Sequence, residues 1–412
     1  HFTACCLLQG AACLVTNLLA VALCFFKDYA QLAPYLHVMS IGFLLDCPAQ
    51  FRTRILERNF EWRKIRTLQA IGIIAGSLLG LLMAWQGFGT YSLVVPGMLA
   101  TLPFIWDLFI AEKWRPTWQW SLQTYQPAIS FGLARIASNL CNAIRSNIPA
   151  AVMPSMWTFA AIGVFGRSTS LAQLICSKIS GSLVSAIYPV LIRLEAHGHD
   201  PARVNGLLLR VIVWTGIPLA MVLTVQARPL ITLAYGSQWS DVIPIMPWAT
   251  AWALAVAIGS ASYAVMLSRN LTRECLQGDI GILLATIPLV WVFLPRGTGP
   301  YLMALAVVTW IQVAWFFYTL VRAGALTAKG IVAAFTPPLI ATLMGFAAAS
   351  ALNPVVSLHV HWVLAFGVWC MVFSLAFCCT MRLVFPQLLR EQIVLLPLSH
   401  KVERWLGFRV AS

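Results

Sequence analysis

The sequence predicts an all-α polytopic membrane protein with about twelve transmembrane helices, and three observations carry that expectation. First, the chain is 60% hydrophobic and only 10% charged, with a mean hydropathy of +0.82, which lies outside the composition of a soluble globular domain. Second, it breaks into twelve apolar stretches near 4–26, 33–51, 68–86, 90–111, 127–154, 157–190, 207–225, 241–267, 276–294, 300–321, 330–351 and 357–380. Each approaches or exceeds the roughly 20 helical residues needed to cross ~30 Å of hydrocarbon. Third, the basic residues fall into alternate gaps. The second, fourth, sixth, eighth and tenth gaps and the C-terminal tail, with Arg210 just inside the seventh stretch, hold 20 of the 27 Lys and Arg residues. The intervening gaps hold Lys27, Arg228 and Arg296. Positive charge is retained on the cytoplasmic side during insertion. The alternation therefore predicts that residue 1 enters from the cytoplasm and that the C-terminus stays there.

Taken in order, the first stretch is long enough to span and has no small-residue cleavage site, so it is expected to be a helix rather than a secretory leader. The second gap, "FRTRILERNFEWRKIR" at 51–66, is the most basic. Phe51, Ile55, Leu56, Phe60 and Ile65 recur at roughly helical spacing between its charges, which predicts a short helix lying on the inner leaflet. The loop "QGFGT" at 86–90 is very short and forces an antiparallel hairpin. The fourth gap carries Trp114, Trp118, Trp120 and Tyr125, residues that favour the headgroup layer. It is read as an interfacial linker and as the boundary between two lobes.

Stretches five and six are the polar ones. At about 100° per residue, Arg135, Ser138, Asn139, Asn142, Arg145 and Ser146 fall within an arc of about 120° on stretch five. Arg167, Ser170, Ser177, Lys178, Ser182 and Ser185 share one side of stretch six. Arginine facing lipid is costly, so both arcs must face protein or water. One reading makes these residues interhelical glue, with the arginines snorkelling or paired to acids. Asp46, Asp107 and Asp279 are the plausible intramembrane acids, and each is expected near a cytoplasmic end, too far away to neutralise four cations. The other reading is a hydrated cationic cavity for an anion. Arginine suits that role because its forked donors match phosphate oxygens bidentately.

The remaining features are weaker. The eleven cysteines fall mostly within hydrocarbon or near cytoplasmic ends and form no CxxC pair, so neither a structural disulfide nor a metal site is expected. His359 and His361 read as a solvated helix end, and Asp241 as an N-terminal helix residue opposite the dipole. The "NLT" sequon at 270–272 falls in a cytoplasmic loop. The net charge of +14 is spread over separate loops, which argues for topology and anionic lipid and against nucleic acid.

Two segments carry a resemblance. The segment 163–239 has Gly163, Phe165, Pro189, Pro218, Gly236 and Trp239 at the positions of a recurring pattern. In that pattern a glycine and an aromatic precede a proline in a long helix, a second proline follows in the next helix, and a G-x-x-W turn closes it. The segment 47–94, "CPAQFRTRILERNFEWRKIRTLQAIGIIAGSLLGLLMAWQGFGTYSLV", matches the accompanying first-lobe loop and helix pair. Together they resemble the oligosaccharide-flippase branch of the multidrug/oligosaccharidyl-lipid/polysaccharide exporter superfamily.

The resemblance implies a two-lobe bundle of fourteen helices of which this chain lacks the first two. On that pattern 1–115 is a partial first lobe of four helices, 116–322 a second lobe of six, and 323–412 two additional helices with a cytoplasmic tail. The implied activity is not enzymatic. It is translocation of an isoprenoid-pyrophosphate-linked oligosaccharide, an O-antigen or exopolysaccharide repeat unit, across the bacterial cytoplasmic (inner) membrane by alternating access. Arg135, Arg145 and Arg167, with Lys178 beside them, would receive the pyrophosphate. Asn139 and Asn142 would receive sugar hydroxyls. No cofactor is implied, and Na+ or H+ is left open as coupling ion. The partners implied are the lipid-linked oligosaccharide, membrane lipids, a polysaccharide polymerase and glycosyltransferases.

Two other classes compete. A membrane polymerase or ligase needs a sizeable outer loop bearing catalytic groups, and the outer gaps are short. A multidrug or solute exporter of the major-facilitator type needs a G-x-x-x-D-R-x-G loop, which 52–67 lacks. A multidrug extruder of the same superfamily would prefer acids in its cavity.

Overall fold

A computed structural model of the chain describes residues 2–25, 30–59, 61–116, 122–179, 181–182, 200–357 and 361–393. The protein is all-α, and no strand occurs among the described residues. Eleven helical segments among them are long and apolar enough to cross a bilayer. The chain divides into two compact units, His1–Gln126 and Pro127–Ser412.

The first unit contains α1 (Phe2–Cys24), α2 (Ala33–Arg58), α3 (Trp62–Trp85), α4 (Tyr91–Leu99) and α5 (Leu102–Trp106), the last continued by a π-helical turn, Asp107–Ala111. The fourth apolar stretch is thus broken into three pieces, with Pro96 inside α4 and Pro103 near the start of α5. Packing of α3 on α4 rests on three glycines one turn apart. A Cβ on Gly72 would run into the backbone oxygen of Ala100. One on Gly76 would sit 2.9 Å from Pro96 O, and one on Gly80 3.1 Å from Ser92 O. Small residues at this spacing let membrane helices approach closely.

The basic gap at 51–66 does not form a separate surface helix. α2 runs unbroken to Arg58 and α3 starts at Trp62. Leu56 and Ile65, expected to face lipid, are buried against Ala49, Leu68 and Phe104, so protein rather than headgroups covers the apolar face. Arg52 is also buried: its Nε donates to Asp107 Oδ2 and its Nη2 to Glu112 Oε1, both at 2.6 Å. Lys64 Nζ reaches Asp107 Oδ1 and Glu112 Oε1 at 3.0 Å. Lys64 and Arg52 beside Glu112 hold its carboxyl below the ordinary carboxylate range. These four charges tie α2, α3 and the turn after α5 together at one end of the unit.

The second unit contains α6 (Leu122–Met156), whose first turn falls before the division, and α7 (Phe159–Ala172), continued by the π-helical Gln173–Ile179. There follow α8 (Pro201–Val225), α9 (Ala227–Tyr235), the 3-10 segment Ser237–Ile245, α10 (Met246–Ser268), α11 (Thr272–Phe293) and α12 (Thr298–Arg322). The chain then forms α13 (Ala328–Ser357), α14 (Trp362–Val384) and the short α15 (Pro386–Ile393). α8 starts where Asp200 accepts from Ala202 N at 3.1 Å and Pro201 fills the first turn, a favourable start because proline lacks the N–H that would be orphaned there.

α10 is the centre of this unit. It buries residues on all its faces, among them Ala249, Ala253, Ala257, Ile258 and Met266, and its alanines admit neighbours at short range. α13 packs on α8, where Trp214 Nε1 donates to Ala334 O at 3.1 Å. Three segments lie at one end of the unit. Asn205 Nδ2 donates to Ala325 O at 3.0 Å, and Glu391 of α15 receives Arg203 and Arg210 of α8 at 3.1 and 2.7 Å.

Candidate functional site

α6 carries the site because its polar residues recur on one face while apolar residues occupy the other. Leu133, Ile136, Leu140 and Ile144, opposite the arc, are exposed, as lipid-facing groups should be. On the arc, Ser138 is buried and Arg135, Asn142 and Arg145 are half-buried. Side chains of one turn support the next: Arg145 Nη2 donates to Asn142 Oδ1 at 3.2 Å, and Asn142 Nδ2 donates to Ser138 O at 3.0 Å.

Arg135, Asn139, Asn142 and Arg145 line one cavity of about 510 Å³ within the second unit, inside the 300–1,000 Å³ range of ligand sites. The rest of its wall comes from α10, α11 and α12. Tyr263 of α10 lies under the Arg135 guanidinium, 4.9 Å from ring centroid to Cζ, a cation–π geometry. Gly259 and Ser260 keep that wall of the cavity open, and Phe316 closes part of α12.

α11 contributes Asp279 and α12 contributes Thr309 and Gln312. Asp279 is 2% exposed, and its Oδ1 accepts from Gln312 Nε2 at 3.2 Å. Of the three acids expected to lie too far away to neutralise the four cations, Asp279 shares a cavity with two of them, the guanidinium groups of Arg135 and Arg145. The contact is not a closed ion pair: Arg145 Nε and Asp279 Oδ2 are buried without a hydrogen-bond partner among the described residues. The cavity thus holds two guanidinium groups and one carboxylate, an excess of one positive charge, beside amides that donate and accept. It suits an anion that also carries hydroxyl groups.

The other two candidate cations stand elsewhere. Arg167 of α7 is exposed, with its Cζ 5.4 Å from the Tyr235 ring centroid and 5.5 Å from that of Trp239. Lys178 is exposed on the π-helical turn after α7, beside Ser177, whose Oγ donates to Ala253 O at 3.1 Å. Neither lines the cavity. Ser185, Pro189 and His359 lie outside the described residues. Tyr263, Thr309 and Gln312 carried no sequence signal, because one polar group in an otherwise apolar helix has no period. Asp279 did carry one, as a lone acid in an apolar stretch.

Comparison with known proteins identifies the family. Residues 2–244 match the family described as polysaccharide biosynthesis protein. The lipopolysaccharide biosynthesis protein WzxC of Escherichia coli is 20% identical over 242 residues, 58% of this chain and 49% of its own length. The succinoglycan biosynthesis transport protein ExoT of Rhizobium meliloti is 22% identical over 219 residues, covering 52% of this chain and 44% of its own. The chain spans about half the length of these curated relatives. Among solved structures, the lipid II flippase MurJ in its inward closed conformation superposes with a TM-score of 0.67 over 93% of this chain and 83% of that one, at 13% identity, which is a likeness of fold. The family match covers well over half of the chain and takes in the whole of α6 with its arginines. On that evidence this polytopic α-helical membrane protein belongs to the polysaccharide biosynthesis protein family.

Proposed function

We propose that the protein is a transporter that moves an isoprenoid-pyrophosphate-linked oligosaccharide across the bacterial cytoplasmic membrane. The observation that carries this is the pair Arg135 and Arg145 in one amide-lined cavity within a bundle of membrane-length apolar helices. A headgroup of phosphate and sugar cannot cross hydrocarbon unaided, because buried charge and unpaired hydroxyls are costly there. A wet cavity with two forked cations accepts the phosphates, and Asn139 and Asn142 accept and donate to the sugar, while the isoprenoid stays in lipid. Alternating exposure of this cavity to the two sides completes transport. No bond is made or broken. The relatives named for lipopolysaccharide and succinoglycan biosynthesis, and the fold shared with a lipid II flippase, support the same reading.

The C-terminus is cytoplasmic in this proposal. The charge alternation supports it, as does the placement of the basic segments at 200–210, 322–329 and 386–393 at one end of the second unit. In this proposal glycosyltransferases build the lipid-linked unit before it is moved, and a polysaccharide polymerase consumes it afterwards. The test is deletion of the gene. Lipid-linked repeat units should accumulate on the inner leaflet and surface glycan should disappear, both reversed by restoring the gene. Surface glycan at the wild-type level after deletion would refute the proposal.

A further inference from the structure

We infer that Asp279 is a resident counter-ion that competes with the transported phosphate for Arg135 and Arg145 and so keeps binding weak enough for release. The inference rests on the substrate reading above. Three features of the cavity lead to it. The carboxylate is almost fully buried, yet it stops short of an ion pair with either guanidinium among the described residues. Gln312 on α12 donates to its Oδ1 at 3.2 Å, and its Oδ2 has no hydrogen-bond partner among the described residues. What faces it is Arg145, whose Nε is equally without a partner, its Nη2 being engaged by Asn142 on its own helix.

The charges are therefore arranged around a gap rather than closed on one another. Two half-buried cations with no anion would be expensive inside a helix bundle, and a closed Asp–Arg pair would block the site. An aspartate held at a distance lowers the cost of the empty cavity and still leaves donors free. When a phosphate enters, it takes the guanidinium groups and meets the negative charge of Asp279 from the other side. A transport site must bind well enough to load and weakly enough to unload, and one opposed charge does both. The match to the polysaccharide biosynthesis family ends at residue 244, before Asp279.

The experiment uses the full chain purified in detergent and two radiolabelled probes, inorganic pyrophosphate and a short-chain isoprenyl pyrophosphate, measured by equilibrium binding. Asp279→Asn should tighten binding on the order of tenfold, the size of one unit charge removed at several ångströms in a medium of effective dielectric about 20–40. Asp279→Glu, whose carboxylate reaches further toward the arginines, should weaken binding. A merely structural aspartate would give weaker binding or lost protein with both substitutions, and that pattern overturns the inference. Should Asp279→Asn fail to accumulate, Asp279→Ser takes its place: it removes the same charge and should tighten binding, and unchanged or weaker binding there overturns the inference. Arg145→Ala is the control. If it weakens binding while Asp279→Asn does not strengthen it, the counter-ion role alone fails. If it leaves binding unchanged, the phosphate-site reading fails and the counter-ion role fails with it.

Discussion

Replacing Arg145 with alanine should separate transport from folding, because of how little Arg145 does for the fold. Its one side-chain hydrogen bond among those described runs to Asn142, on its own helix at 3.2 Å. It closes no ion pair, and its Nε has no partner. A neutral-acceptor bond of this kind contributes about 0.5–1.5 kcal/mol net, or up to about 3 when one partner is charged. Removing a half-buried charge that lacks a direct counter-ion returns part of that through relieved desolvation. The net effect on stability is thus about 1 kcal/mol, and membrane abundance should stay near wild type. A bound phosphate loses more. Two charge-assisted hydrogen bonds from one guanidinium fork, at about 1.5–3 kcal/mol each, correspond to a loss of roughly two to four powers of ten in affinity.

The assay is surface glycan normalised to the amount of protein in the membrane, for Arg145→Ala and Arg145→Lys. Alanine should abolish display at normal abundance. Lysine should restore part of it, since it keeps the charge and loses the fork. Full display with alanine at normal abundance would remove Arg145 from the transport site. A fall in abundance matching the fall in display would make it a structural residue.

Three further outcomes are expected. Gly72→Ala places a methyl group against Ala100 O and should cost about 1–3 kcal/mol, the range for overpacking; a lowered melting temperature in detergent, larger than for Gly80→Ala, checks it, and equal temperatures would refute close α3–α4 packing. Glu112→Gln should lower the melting temperature at pH 7. Because the Glu112 carboxyl titrates below its ordinary value of 4.5, its ionised form stabilises fully above that pH, and the advantage over glutamine should fade as pH falls through the lowered value; a difference that ignores pH would point to packing instead. Arg58→Cys in a cysteine-free variant should be shielded from an impermeant thiol reagent in intact cells, given the charge alternation, and labelling from outside would overturn the orientation.

Much of the architecture was legible because single-helix properties are local. Hydropathy marked out the stretches at 207–225 and 300–321, which the structure forms as Pro201–Val225 and Thr298–Arg322, since each helix must match the same hydrocarbon thickness. The 3.6-residue period put Arg135, Asn139, Asn142 and Arg145 on one face before any neighbour was known, and the cavity collects those four residues. The same period gathered Arg167 and Lys178 on α7 and its continuation. It could not say that aromatic rings at Tyr235 and Trp239 would receive Arg167, because those rings arrive from another helix and turn.

Helix existence and polar faces follow from the sequence alone, because they depend on side chains a few residues apart along one axis; the count was read as twelve, and eleven spans among the described residues are long and apolar enough to cross a bilayer. Which faces meet depends on interhelical packing between segments far apart in the chain, and only the tertiary structure decided that. It turned the basic stretch at 51–66 into the buried ends of two helices, because Leu56 and Ile65 found Phe104 to pack on rather than lipid. It also brought Asp279 of α11 into one cavity with Arg145 of α6, where Gln312 of α12 donates to the carboxylate.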